Sequence, residues 1–195
     1  MPRHIPKIIF RRSEVYDRAL ARTGRWHAPS EREMDRSVRK MRRAWERQGD
    51  AILRQIASIA GLAWHEKEIV CYITYGVIPY SDPVTLNPRC NIHDLTHELI
   101  HRILSEPKNL KHILPGWRRL MTRYQKETET VRQHIVVHAI HELVLLALFN
   151  KSALERERRS IPLRAYQRAW ALVARDGAEA IVDMLYRQRS EKETS

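Results

Sequence analysis

Asn91-Ile92-His93-Asp94-Leu95-Thr96-His97-Glu98-Leu99-Ile100-His101-Arg102-Ile103-Leu104 is the stretch on which the reading of this chain turns. Asn91 is a good helix N-cap, and Pro107 stands just beyond the far end. Leu95, Leu99, Ile100, Ile103 and Leu104 recur at helical spacing, which predicts a partly buried helix over residues 91–104. Residues four apart project from the same helix face, so His97 and His101 can both reach one ion just off that face, at the roughly 2.0–2.1 Å of Zn–N bonds. Glu98 is rotated away from the pair. His93 lies eight residues before His101, about 12 Å along the axis. Two ligands of one zinc can be at most roughly 4 Å apart, so His93 reads as a helix-start or rim histidine.

A third protein ligand has to come from elsewhere in the chain. Residues 130–150 are predicted as a helix that is apolar almost all round, and so buried over most of its surface. It carries His134, His138, His141 and Glu142. A carboxylate on such a helix is costly unless it is paired, hydrogen-bonded or bound to metal. Glu142 is therefore the first candidate for the third ligand, His138 the second and His134 the third. Histidines left over would orient the site or make ordinary core hydrogen bonds.

Composition sets the frame around this motif. The chain has 195 residues, with 35 Lys and Arg against 23 Asp and Glu for a net charge of +12. Hydrophobic residues make up 43%, enough for a sizeable core. Cys71 and Cys90 are too few for a disulfide framework or a four-thiolate zinc site and point to a reducing compartment. Residues 143–149 form the longest apolar stretch of note, short of the roughly 20 a membrane-spanning helix needs. The expectation is a cytoplasmic protein with no membrane partner.

Three regions are expected: a basic helical N-terminal region over residues 1–62, a core over residues 63–150, and an amphipathic helix and tail over residues 151–195. In the first, residues 13–21 and 30–48 read as helices. The second opens with a Ser30-x-x-Glu33 capping box and carries an apolar stripe of Met34, Val38, Met41 and Trp45 amid arginines. Gly49-Asp50 should break it and start a further helix ending near Gly61. Residues 68–78 read as a strand and 84–86 as a shorter one. Helices follow near residues 117–126 and over 163–186, the latter bent near Asp176-Gly177, before a frayed tail from Gln188. Trp26, Trp64, Trp117 and Trp170 read as core anchors. The expected fold class is α+β, predominantly helical, with a small sheet on the motif helix and the Glu142 helix, plus extra N- and C-terminal helices.

His97-Glu98-x-x-His101 on one helix, with Glu142 some forty residues later on a second buried helix, resembles the gluzincin clan of zinc metallopeptidases. The likeness is to its minimal members, the minigluzincins, and covers roughly residues 68–150. The clan's usual acidic residue four after the third ligand is absent, since Leu146 stands there. The resemblance implies Zn2+ held by His97, His101 and Glu142, with Glu98 as general base and then acid in peptide-bond hydrolysis. It also implies that the strand within residues 69–80 forms the rim on which a peptide or protein substrate adds as an extra strand. His138, His134, Tyr124 and Tyr75 are candidates for stabilising the oxyanion. The competing expectation is a basic helical protein that binds nucleic acid or an acidic partner through its Arg-rich N-terminal region. A third is a degenerate zincin whose metal is only structural.

Overall fold

β2 (Glu68–Ile73) organises the first part of the chain. Its Ile69, Cys71 and Ile73 alternate inward and are buried, as a half-buried strand requires. β1 (Lys7–Arg12) pairs with it in parallel, setting Ile8 against Ile69 and Phe10 against Cys71. β4 (Val84–Leu86) pairs in parallel on its other side, and β3 (Tyr80–Ser81) runs antiparallel to β4 across a turn at Asp82-Pro83, a cis peptide. The sheet order is β1-β2-β4-β3.

The computed structural model describes residues 4–23, 29–160 and 162–186. Among these are four strands and eight helices, an α+β fold in which helix predominates. Trp26 and the tail from Gln188 lie outside the described residues. The chain divides into two compact units, one of the residues up to Arg54 with Ala63–Arg102, the other of Gln55–Leu62 with the residues from Ile103 on.

In the first unit, β1 was not expected from its sequence, and the strand expected over 68–78 is shorter. It stops at Ile73 because Thr74 and Tyr75 turn to α1 (Glu14–Arg22), and Gly76 takes a positive φ of 70° that favours glycine. Buried Asp17 of α1 accepts from the Thr74 hydroxyl, the Tyr75 N–H at 3.3 Å and Arg12 Nε at 3.1 Å. Its backbone carbonyl accepts from the Tyr75 hydroxyl at 2.7 Å. The buried carboxylate is thereby compensated.

α2 (Glu31–Ile59) is one helix, where a break at Gly49-Asp50 was expected. The capping box forms as read, with Ser30 Oγ accepting from the Glu33 N–H and the Glu33 carboxylate accepting from the Ser30 N–H. Gly49 stays helical because the Trp45 indole occupies its side-chain space, only 2.2 Å from where a Cβ would stand. Trp45 in turn meets Phe10 edge-on at 6.3 Å. A glycine chosen for close approach is indistinguishable in the sequence from one chosen to stop a helix.

The second unit is helical. α4 (Pro107–Arg123) begins ten residues earlier than expected: Glu106 caps it, accepting from the Asn109 N–H, Pro107 occupies its first turn, and Pro115 sits inside. α5 (Glu129–Leu148), capped by Thr128, is buried around most of its circumference, as expected. α6 (Lys151–Ser160), α7 (Arg164–Asp176) and α8 (Ala178–Met184) complete the unit, and α5 packs against all three. Gly177, at φ 84°, makes the bend expected near Asp176-Gly177. α5 is long and apolar enough to cross a membrane by composition, and 61% of that window is buried inside the protein, as in the core helix of many soluble proteins.

A Cβ on Gly116 of α4 would stand 2.4 Å from the backbone of Leu185, which cannot swing away as a side chain can. Gly116→Ala is expected to destabilise the protein by about 1–3 kcal/mol, the usual cost of overpacking. Urea unfolding monitored by circular dichroism checks this; an unchanged midpoint would show that the α4–α8 packing yields freely.

Candidate metal centre

α3 (Ile92–Ser105) carries the motif, and its local chemistry is that of a firmly started helix. Asn91 Oδ1 accepts from the His93 N–H at 2.6 Å, and the Asp94 carboxylate accepts from the Asn91 N–H at 2.7 Å. Asp94 is thus the reciprocal half of a cap. Arg102 has a structural task as well. Its guanidinium binds the Glu66 carboxylate, Asp82 Oδ1 at 2.7 Å and the Ser81 carbonyl at 3.2 Å, tying α3 to the β3–β4 turn.

One turn of this helix sets His97 against His101. Their Nε2 atoms are 3.2 Å apart and their ring centroids 4.9 Å apart, with the planes at 67°. Two imidazoles on a tetrahedral zinc have nitrogens about 3.3 Å apart, so the pair has the separation that such an ion asks for. Among the described residues, His97, His101 and His134 each offer a ligand atom, and these atoms all lie within 4.8 Å of one another, close enough to bind one metal ion. His97 and His134 are buried and His101 is half-buried.

His134 is oriented for such a role by its own helix. Its Nδ1 lies 2.7 Å from the Thr130 carbonyl. A carbonyl only accepts, so Nδ1 carries the proton and Nε2 presents its lone pair, the arrangement common for metal-binding histidine. Burial lowers its pKa, partly offset by the Thr130 bond, so the ring is neutral and ready to ligate. Tyr166 of α7 covers the ring with centroids 3.9 Å apart.

Glu98 is buried, 7% exposed. Its pKa is pushed up to about 8, chiefly by burial and secondly by the charge of Asp94. Burial raises the proton affinity of the Cys71 thiol of β2 and of the Cys90 thiol, Cys90 to about 12, so neither is a nucleophile at neutral pH. Glu98 is in turn a small contribution to both shifts.

The other candidates have other surroundings. Glu142 is not in the histidine group; its carboxylate accepts from Arg158 Nη2 at 2.6 Å. It sits eight residues beyond His134, about 12 Å along α5, so the helix cannot present both to one ion. His138 is fully buried and stacks on Trp170 at 4.3 Å, with Arg158 on Trp170 at 5.4 Å. Buried His141 also neighbours Trp170. Tyr124 donates its hydroxyl to Asp176 at 2.7 Å, and burial with that carboxylate pushes its pKa up to about 12. Tyr75 donates to the Asp17 carbonyl, as above. Both phenols are thus committed to holding α1 and α7 rather than offered to an oxyanion. β2, where the substrate rim was expected, is paired on both edges, by β1 and β4; among the described residues the end strands of the sheet are β1 and β3.

In the sequence His134 ranks last among the three candidates, and nothing singles out Arg158. Arg158 lies on α6, which was not expected as a helix, so nothing announced a cation for Glu142. A direct check separates the ligands. With zinc as the probe metal, His134→Ala is expected to weaken binding by at least 10-fold, whereas Glu142→Gln should keep it within a few-fold. Competition with a fluorescent chelator measures both, and the reverse order would return the third position to Glu142.

No protein-family model, curated protein or solved structure matches this chain.

Proposed function

We propose that this chain is a zinc-dependent peptidase of the H-E-x-x-H type, with the ion held by His97, His101 and His134 and with Glu98 as the proton-transfer group. The observation that carries this reading is the gathering of three imidazoles around the one helical turn that also carries a buried carboxylate. The donor set suits zinc: neutral imidazole nitrogens, three in number, leaving a fourth position open as catalytic sites do. It keeps the chemistry of the gluzincin motif but replaces that clan's glutamate with a third histidine. A divalent ion in this position supplies Lewis-acid activation of water and of a peptide carbonyl.

The chain's own residues do the rest. Glu98 takes a proton at its carboxylate from the attacking water and returns it to the leaving amine, so one side chain serves as base and then as acid. Its raised proton affinity suits it to holding that proton between the two steps, and a nearby cation would draw it back towards ionisation. Arg102, next to His101, holds the Ser81 carbonyl of β3. The edge strand is therefore fastened to the motif helix, and an extended peptide can add to it through main-chain hydrogen bonds. A cavity of about 690 Å3 lined by Tyr16, Tyr72, Ile78 and Tyr80 offers apolar room for side chains on the same sheet.

The test is metal analysis together with turnover. Purified protein should carry about one zinc per chain, should cleave a denatured protein substrate, should stop after dialysis against chelator and should resume with zinc. Stable zinc binding without cleavage of any unfolded substrate would replace this reading with a structural metal.

A further inference from the structure

The outer face of α2 is a surface the peptidase reading does not use. At about 100° per residue, Met34, Val38, Met41 and Trp45 share one side of the helix. Arg32, Arg36, Arg39, Lys40, Arg43 and Arg47 occupy roughly 100° of arc on the opposite side, and no other residue between positions 31 and 49 falls within that arc. The stripe is about 22 Å long. All six side chains are exposed, and among the described residues none takes part in an ion pair. A cavity of about 260 Å3 opens among Arg36, Arg39, Lys40, Arg43 and Arg47. The acidic residues Glu33, Asp35 and Glu46 stand to either side of the stripe.

We propose that this face binds the phosphate backbone of duplex nucleic acid. Like charges three and four residues apart on a helix destabilise it, and a polyanion laid along them relieves that repulsion. Five of the six cations are arginines, whose planar forks match phosphate oxygens two at a time. A helix about 10–12 Å across with its side chains also suits a major groove about 12 Å wide. No aromatic residue lies on the stripe to stack an unpaired base, which favours duplex over single strand. The apolar side of α2 is buried, with Met34 at 0% and Met41 at 4% exposure, so this helix cannot lie apolar-side down in a lipid surface. The stripe also lacks the apolar or aromatic anchor on which protein–protein interfaces depend. Recognition here is by charge and therefore independent of base sequence.

The experiment is fluorescence anisotropy of the full chain with a labelled mixed-sequence DNA duplex of about 30 base pairs. With four to six phosphates engaged, log K should fall with log[salt] at a slope of about −4 to −5, a loss of roughly 10²–10³ in affinity between 50 and 200 mM salt. Arg36→Gln/Lys40→Gln/Arg43→Gln, all exposed and folded by circular dichroism, should flatten the slope by about 2–3. Lys108→Gln/Lys111→Gln/Arg118→Gln on α4 should leave it unchanged. Equal loss in both triple variants, or none in the first, overturns the proposal. So does polyglutamate competing as well as the duplex at equal charge, which would assign the face to an acidic protein.

Discussion

On the proposed peptidase reading, Glu98→Gln is expected to cut peptide hydrolysis by about 10²–10⁴-fold, the range for loss of a general acid–base group, while zinc binding stays at its wild-type level. The substitution keeps the size of the side chain and its hydrogen-bonding oxygen but can neither take nor give the proton. The helix turn that positions His97 and His101 is untouched, because its cap is made by Asn91 and Asp94 and its far end is held by Arg102. Measuring zinc content and turnover on the same preparation separates the two roles. Turnover within a few-fold of wild type would remove Glu98 from the mechanism. Loss of zinc together with turnover would make it a support of the metal centre instead.

The second large effect is on stability and runs with pH. In the metal-free protein burial and the Asp94 charge raise Glu98 from an ordinary 4.5 to about 8. A carboxyl whose proton affinity is higher folded than unfolded contributes stability that is fully present below about pH 4.5. It is lost as pH rises through 8, because the unfolded chain releases the proton first. Over that window the loss is roughly 3–5 kcal/mol. Glu98→Gln has no proton to lose. Stripped of metal, the variant should match wild type near pH 5 and exceed it by several kcal/mol above pH 8, with urea midpoints read at both values. A gap independent of pH would mean that the folded carboxylate is already ionised at neutrality. Added zinc should shrink the gap, since a cation beside the carboxylate favours its ionised form.

What could be read in the sequence is what depends on neighbours within one or two turns. Ser30 and Glu33 stand three apart, as do Asn91 and Asp94, and both pairs cap helices in the structure. His97 and His101 stand four apart, and their nitrogens face each other. Gly177, at the end of a helical pattern, bends the chain where expected. Gly49 and Pro115 show the limit of such reading. Both are helix breakers by propensity, yet both lie inside helices, because Trp45 needs the space above Gly49 and because α4 is started firmly by Glu106 and Pro107.

β1 and the third histidine belong to a different order of information. Ile8-Ile9-Phe10 is too short and too closely bracketed by proline and arginine to declare itself a strand. It is one because β2, some sixty residues on, offers it a partner in register. His134, His138 and Glu142 are all polar intruders on an apolar helix, and the cost of burying a carboxylate ranks Glu142 first, but nothing within α5 shows which of them is already compensated by a partner. The partners the fold brings to them do: Trp170 on α7 stacks on His138, and Arg158 on α6 pairs with Glu142.

By itself, then, the sequence determined the helix-borne pair of imidazoles with their adjoining carboxylate, and the cationic stripe of α2, since helical periodicity alone decides which side chains share a face. Only the tertiary structure decided that His134 joins that pair and that Glu142 is taken up by Arg158. A third ligand is chosen by which groups are brought near an ion and which are already compensated by a partner, and both are set by side chains far away in the chain.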